Sequence, residues 1–433
     1  MGKKNTFRDM MVVGFALFAM FFGAGNLIFP PKLGFNSGDI WEWGFVSFML
    51  ADIGLSVLAL MVIAKNGRGS EGITDGIGRK MSSVLLAINM ICLAPLIVIP
   101  RTAATTFELA VEPVMPSAGR LIISIIFFAI VLVLSIRESK IVDIVGAIMA
   151  PVMFVALIAL IVVGVATPLG SIEKSAVLAD VVREGVLAGY QAMDMMGAIL
   201  IAVVVIASVI QKGYGSVREQ HKIIGLSSIV CAIALGVVYG GLTYLGASAS
   251  SVLSEDLTQA QLLVAVTRGL LGQGGVILLG VIVTFACLTT AIGVTSSFAA
   301  FFTKISNDKL KYEYLVVGTC VFSCVISNFG ISAIVSFAAP ILELIYPVLV
   351  TLLVLSAFSG KVKRGNIHKA AAIGAFIASA LCIIENYTGF STGMSHMPFA
   401  SFGFAWVIPT AVFAVIGSFI KPKNKGNETE EEA

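Results

Sequence analysis

Charge is scarce in this 433-residue chain: 28 Lys and Arg and 25 Asp and Glu make up 12% of it. A soluble domain carries about 25%, so a water-covered globule is excluded. Histidine is scarcer still. His221, His368 and His396 all fall near loops, and there is no H-E-x-x-H pair, nucleophile elbow or Walker loop. No polar catalytic cluster forms, so an enzyme is not expected. Gly23-Ala24-Gly25 has no strand before it and is not a dinucleotide fingerprint. The formal charge of +3 is too small to argue for nucleic acid. The cysteines (Cys92, Cys231, Cys287, Cys320, Cys324, Cys382) form no C-x-x-C pair and leave the redox compartment open. A cleavable leader is missing too. Lys3, Lys4 and Arg8 precede an apolar run that continues into Pro30 with no small-x-small site, so it reads as a retained first helix.

What is present is apolar length. Hydrophobic residues make up 58% of the chain, and mean hydropathy is +0.99. A membrane helix needs about 20 apolar residues. Breaks in the pattern delimit twelve spans: 9–34, 41–64, 81–109, 119–136, 141–166, 186–210, 223–247, 275–302, 312–328, 331–358, 367–384 and 402–420. With the N-terminus cytoplasmic, every Lys and Arg falls inside except Lys32, Arg101, Arg120, Lys174, Arg183 and Arg268. That asymmetry predicts an even number of spans with both ends inside. No linker divides the chain, so residues 1–421 read as one transmembrane domain. Residues 422–433, rich in Glu, read as a disordered tail.

Two spans carry residues that a plain anchor would not. Phe22-Gly23-Ala24-Gly25-Asn26 interrupts the first, since Gly costs about 1 kcal/mol relative to Ala in a helix and Asn competes for backbone bonds. Freed backbone groups at membrane depth are tolerated only when buried in protein or lining a cavity. The break predicts one half-helix ending near Phe22 and another starting near Asn26. Five helices later, Gly189-Tyr190-Gln191-Ala192-Met193-Asp194-Met195-Met196-Gly197 interrupts the sixth. Paired discontinuities are the sequence pointer to a transporter site between inverted repeats, here helices 1–5 (9–166) and 6–10 (175–358), with helices 11 and 12 (367–420) appended.

Asp194 has three competing roles: capping the half-helix that begins near Met195, coordinating a cation, or meeting a substrate ammonium. Capping is the leading one. Asp52 and Glu343 are further candidates for such roles, with pairing inside the bundle as the plainer reading. Thr289 and Thr290 either bond back to their own helix or offer neutral oxygens to a monovalent ion. Arg101 lies roughly 30 Å along a straight third helix at about 1.5 Å per residue and reads as snorkelling to the outer interface.

Phe22-Gly23-Ala24-Gly25-Asn26-Leu27-Ile28-Phe29-Pro30-Pro31, Pro100-Arg101-Thr102-Ala103 with Phe107-Glu108, and Ala286-Cys287-Leu288-Thr289-Thr290-Ala291 resemble motifs of the bacterial branched-chain amino acid:cation symporters. The resemblance spans nearly the whole chain, with one departure: Ala192 stands where the family tends to carry a small hydroxyl residue. It implies sodium-coupled uptake of leucine, isoleucine and valine through the bacterial inner membrane by alternating access, on an all-α fold similar to LeuT. Proton coupling on the same fold is the runner-up. A transporter-like sensor would need an added signalling domain. Carried over by motif, a sodium site would use backbone oxygens of Ala19, Phe22 and Ala286 with the hydroxyls of Thr289 and Thr290. The substrate carboxylate is expected at Ala24, Gly25 and Asn26. Tyr190, Gln191, Met193, Asp194, Met196 and Gly197 are expected to complete the substrate site, with Met193 and Met196 supplying an aliphatic wall. The lipid bilayer is the remaining partner.

Overall fold

Hydrocarbon leaves backbone N–H and C=O groups no partner outside their own segment, which permits helices or closed barrels. The computed structural model describes residues 6–66, 71–136, 140–172, 175–358 and 366–420, and among these there are helices and no strands. The first span is two helices, α1 (Thr6–Phe21) and α2 (Ala24–Ser37). The second, α3, runs Trp41–Met49, through a π-helical turn at Leu50–Gly54, to Leu55–Asn66. The third, α4 (Arg79–Val111), contains π-helical turns at Cys92–Val98 and Phe107–Val111. Next come α5 (Arg120–Ile136) and α6 (Lys140–Ala166). The sixth span is again divided, into α7 (Leu178–Ala192) and α8 (Asp194–Gln211). Then follow α9 (Val217–Ser248), α10 (Gln259–Ile305), α11 (Tyr312–Ser327), α12 (Ile331–Ala357), α13 (Asn366–Thr388) and α14 (Val407–Phe419). Each of the twelve expected spans coincides with a helix or a pair of half-helices. Among the described residues, seven stretches are long and apolar enough to cross a membrane, and four further apolar helices are shorter.

One local expectation fails. Residues 248–274 fall between two expected spans, yet a helix begins at Gln259 and is interrupted at Gly272, where φ is 65°. The missed signal is a capping box: Thr258 Oγ1 accepts from Gln261 N and Gln261 Oε1 from Thr258 N. The expected acidic tail lies outside the described residues.

Packing divides the helices into two compact units. One comes from the described parts of Met1–Ser70 and Leu86–Leu342, the other from the described parts of Glu71–Leu85 and Glu343–Ala433. In the second unit α13 and α14 pack closely, with Gly374 against Phe413 and Gly417 against Ala370. The first unit holds both divided spans, and in it α9 lies along α1 and α2. There α2 and α9 touch backbone to backbone. A Cβ added to Gly34 would sit 1.8 Å from Thr243 O, and one added to Gly246 would sit 1.8 Å from Pro31 O. Small residues permit such approaches between membrane helices. Gly246→Val is therefore expected to cost about 3 kcal/mol, the upper end for overpacking, read as a lowered melting temperature of the purified protein. Gly318→Ala, where an added Cβ meets nothing within 4 Å, should leave that temperature unchanged.

Candidate functional site

The first break is narrow. α1 ends at Phe21 and α2 begins at Ala24, with Gly23 extended between them. In a continuous helix the Gly23 N–H would bond to Ala19 O. Here it donates to Asn26 Oδ1 at 3.3 Å, which removes that partner from the Ala19 carbonyl. Pro30 and Pro31, inside α2, have no N–H for the carbonyls of Asn26 and Leu27. The second break is one residue, Met193, in the left-handed region at φ 68°, ψ 17°. For an L-residue that conformation costs roughly 1–2 kcal/mol, held here by a side chain that is fully buried. α2 packs on α7, and α1 on α8.

Between the breaks lies a buried polar cluster. Asn26 Nδ2 donates to Asp194 Oδ2 at 2.8 Å, to the Tyr239 hydroxyl, and more distantly to Asp52 Oδ2 at 3.5 Å. Both carboxyls thus meet the one Asn26 amide. Asp52, in the π-helical turn of α3, is 0% exposed, and its Oδ1 has no hydrogen-bond partner. π-helical turns recur at functional sites. The capping role expected for Asp194 is not what the structure holds. Met193 occupies the N-cap position, Asp194 is the first helical residue, and no side-chain cap bond forms. Its carboxyl turns to Asn26, 168 positions away in sequence.

Arg101 also departs from expectation. It is 3% exposed and reaches the second break, where Nη1 donates to Gln191 O at 2.6 Å and Nη2 to Ala192 O at 3.5 Å. Its guanidinium lies over the Phe29 ring, 5.5 Å from the centroid. A Cβ at Gly25 would stand 2.7 Å from Nη2. Arg101 therefore spans from the C-terminal end of α7 to the first turn of α2. Counting residues along a straight helix pointed to the outer interface, whereas the side chain meets the carbonyls of another helix. Glu108, two turns on, accepts instead from Arg120 Nη1 at 3.0 Å and from Ile331 N at 2.9 Å, at the start of α12.

The other expected residues distribute as follows. Ala24, Tyr190, Met193 and Met196 are buried, whereas Gln191 and Gly197 are half-buried. A Cβ on Gly197 would meet open space. Thr289 Oγ1 bonds back to Ala286 O at 2.9 Å. Thr290 faces the first break, its Oγ1 3.9 Å from where a Gly23 Cβ would be. Sequence reasoning did not assign Arg101 or Tyr239 to this site, and it held Asp52 only as a further candidate.

Apolar helices of membrane-spanning length, two of them divided, with charged and polar groups buried between the breaks, define a multi-pass membrane transporter. The fold agrees with that class. The structure of Mhp1, a nucleobase-cation-symport-1 family transporter, matches with a TM-score of 0.63 at 13% identity, covering 94% of this chain and 91% of that one. In sequence, the branched-chain amino acid permease BraB of Bacillus subtilis (strain 168) is 33% identical over 97% of this chain and 98% of its own length. The branched-chain amino acid permease BrnQ of Escherichia coli (strain K12) is 31% identical over 94% of each. A family model for branched-chain amino acid transport proteins matches residues 6–424. The chain belongs to that family, whose members are transport proteins and not enzymes.

Proposed function

We propose that this protein imports leucine, isoleucine and valine across the bacterial inner membrane by sodium-coupled symport, with both termini cytoplasmic. The observation that carries the reading is the junction of the two breaks, where the α2 N-terminus and the α7 C-terminus meet around Arg101. A helix N-terminus favours an anion and a C-terminus a cation. An amino acid zwitterion matches both, its carboxylate toward Ala24, Gly25 and Asn26 and its ammonium toward carbonyls of the second break. Tyr190, Met193 and Met196 supply buried surface beside Gln191, Asp194 and Gly197. Preference among the three substrates rests on small terms, since one methylene is worth only about 1–3 kcal/mol.

For the coupling ion, the fit of the residues is chemical. Ala19 O has lost its helical partner to Asn26, and the Thr290 hydroxyl stands beside the same break. With Phe22 O, Ala286 O and Thr289 they would make a neutral oxygen set suited to a weakly held monovalent cation. Sodium bound there would supply the positive charge that draws α1 toward α10. Thr290→Ala is expected to raise the sodium concentration for half-maximal leucine uptake about tenfold, on the order of 1.4 kcal/mol, and saturating sodium should restore most of the leucine affinity. By linkage, sodium and leucine should tighten each other's binding by one common factor. An inserted Thr289→Val/Thr290→Val protein with wild-type sodium dependence would place the ion elsewhere.

One observation favours proton coupling as a second reading. Asp52 and Asp194 meet the same Asn26 amide in a buried site, and Asp52 Oδ1 lacks a partner. Buried carboxyls inside a membrane protein serve as stations on proton pathways.

A further inference from the structure

We infer that Arg101 reads the carboxylate of the transported amino acid, and so restricts the site to substrates that carry a free carboxylate. This rests on the reading of the junction of the two breaks as the substrate site. The starting point is an electrostatic mismatch. The guanidinium is well placed at the C-terminal end of α7, donating to Gln191 O and Ala192 O, because helix C-termini favour cations. It is less well placed toward α2. Nη2 also lies against Gly25, in the first turn of that helix, where the N–H groups carry partial positive charge, a cost that the Asp52 and Asp194 carboxyls offset only in part. An anion that engages both the guanidinium and those N–H groups turns this repulsion into two attractions.

The chemistry narrows the anion. Guanidinium presents planar paired donors that match a carboxylate in bidentate fashion. The carbonyls now taken up by Arg101 are the same groups proposed for the substrate ammonium. The ammonium and the guanidinium therefore compete for them, and the guanidinium, once displaced, is left beside the carboxylate of the same molecule. Access is present as well. A cavity of about 390 Å³ is lined by Phe29, Lys32, Arg183, Glu184 and Gln191, among others. It thus borders both the ring under Arg101 and the residue to which Nη1 donates. Gly25 fits this scheme, since a side chain there would stand where the guanidinium lies.

The test compares leucine with leucinamide, which keeps the ammonium and the isobutyl group but has no carboxylate. Competition against labelled leucine is measured on purified full-length protein in saturating sodium. Wild type should prefer leucine by about 100-fold, the scale of hydrogen bonds to a charged group. In Arg101→Gln the preference should shrink to within about threefold, with leucine losing affinity and leucinamide nearly unchanged. Arg101→Lys keeps a cationic donor for Gln191 O but not the fork, and should fall between the two. A merely structural role predicts a different pattern, in which both ligands weaken together at an unchanged ratio. That result overturns the inference, as does a wild-type protein that binds the two ligands equally, which requires no variant. Wild-type leucine binding by Gly25→Val would instead remove the substrate site from the junction and sink the underlying reading.

Discussion

Gly25→Val is expected to abolish leucine uptake while the protein still inserts in the membrane. The Cβ position at Gly25 is 2.7 Å from Arg101 Nη2 and 3.1 Å from both Arg101 Cζ and Phe29 Cε2. Valine adds two further methyl groups and is stiff at χ1, so it cannot turn them out of the way. The guanidinium must leave Gln191 O and Ala192 O, and the turn that faces the substrate is blocked at the same time. Losing the hydrogen bonds of a charged donor costs about 1.5–3 kcal/mol, enough for roughly a 100-fold loss before steric exclusion is counted. Gly25→Ala should retain part of the activity, because a single methyl group meets the movable end of an arginine. Uptake of labelled leucine, normalised to membrane-inserted protein, checks both. A wild-type rate in Gly25→Val would reduce the glycine-rich stretch to ordinary helix packing.

The second large effect is expected at Asn26. Its amide donates to Asp194, to Tyr239 and at longer range to Asp52, and its oxygen accepts from Gly23 N. Asn26→Leu keeps much of the volume and removes all of these bonds. Breaking a buried charged network by deleting one partner costs about 3–5 kcal/mol, so a lowered melting temperature and loss of uptake are expected together. Asp194→Asn should be far milder in stability. The new amide can still accept from Asn26 through its oxygen, and one of two adjacent carboxyls is removed. If Asn26→Leu melts like wild type, the cluster contributes little to holding the breaks together. If Asp194→Asn is the less stable of the two, the Asp194 carboxyl and not the Asn26 amide holds the cluster together.

The divided spans were legible because their signals are local. Glycine, asparagine and proline weaken a helix wherever they stand. The half-helix ends expected near Phe22 and Asn26 fall at Phe21 and Ala24. At the second break, the start expected near Met195 falls at Asp194. That shift of one residue matters. It moves Asp194 from a capping position into the helix, and its carboxyl goes to Asn26 instead. What the sequence could not convey is which distant side chains converge. Asn26 and Tyr239 are 213 positions apart, and no periodicity within α2 or α9 encodes their meeting. Asp52 stood out as a carboxylate in an apolar run, but the π-helical turn that holds it is a register change without a composition signal. Arg101 was the costliest misreading. Arginine on a membrane helix snorkels by default, and only the three-dimensional neighbours show that it turns inward, to the carbonyls of another helix.

Transport turns on what drives leucine past the two breaks. The most direct measurement is uptake of labelled leucine into proteoliposomes of the purified protein, with sodium and proton gradients imposed one at a time. An inward sodium gradient without a pH difference should drive accumulation above equilibrium, and a proton gradient in sodium-free medium should not. Accumulation under the proton gradient alone, with no response to sodium, would contradict the account and shift the coupling to the Asp52–Asp194 pair.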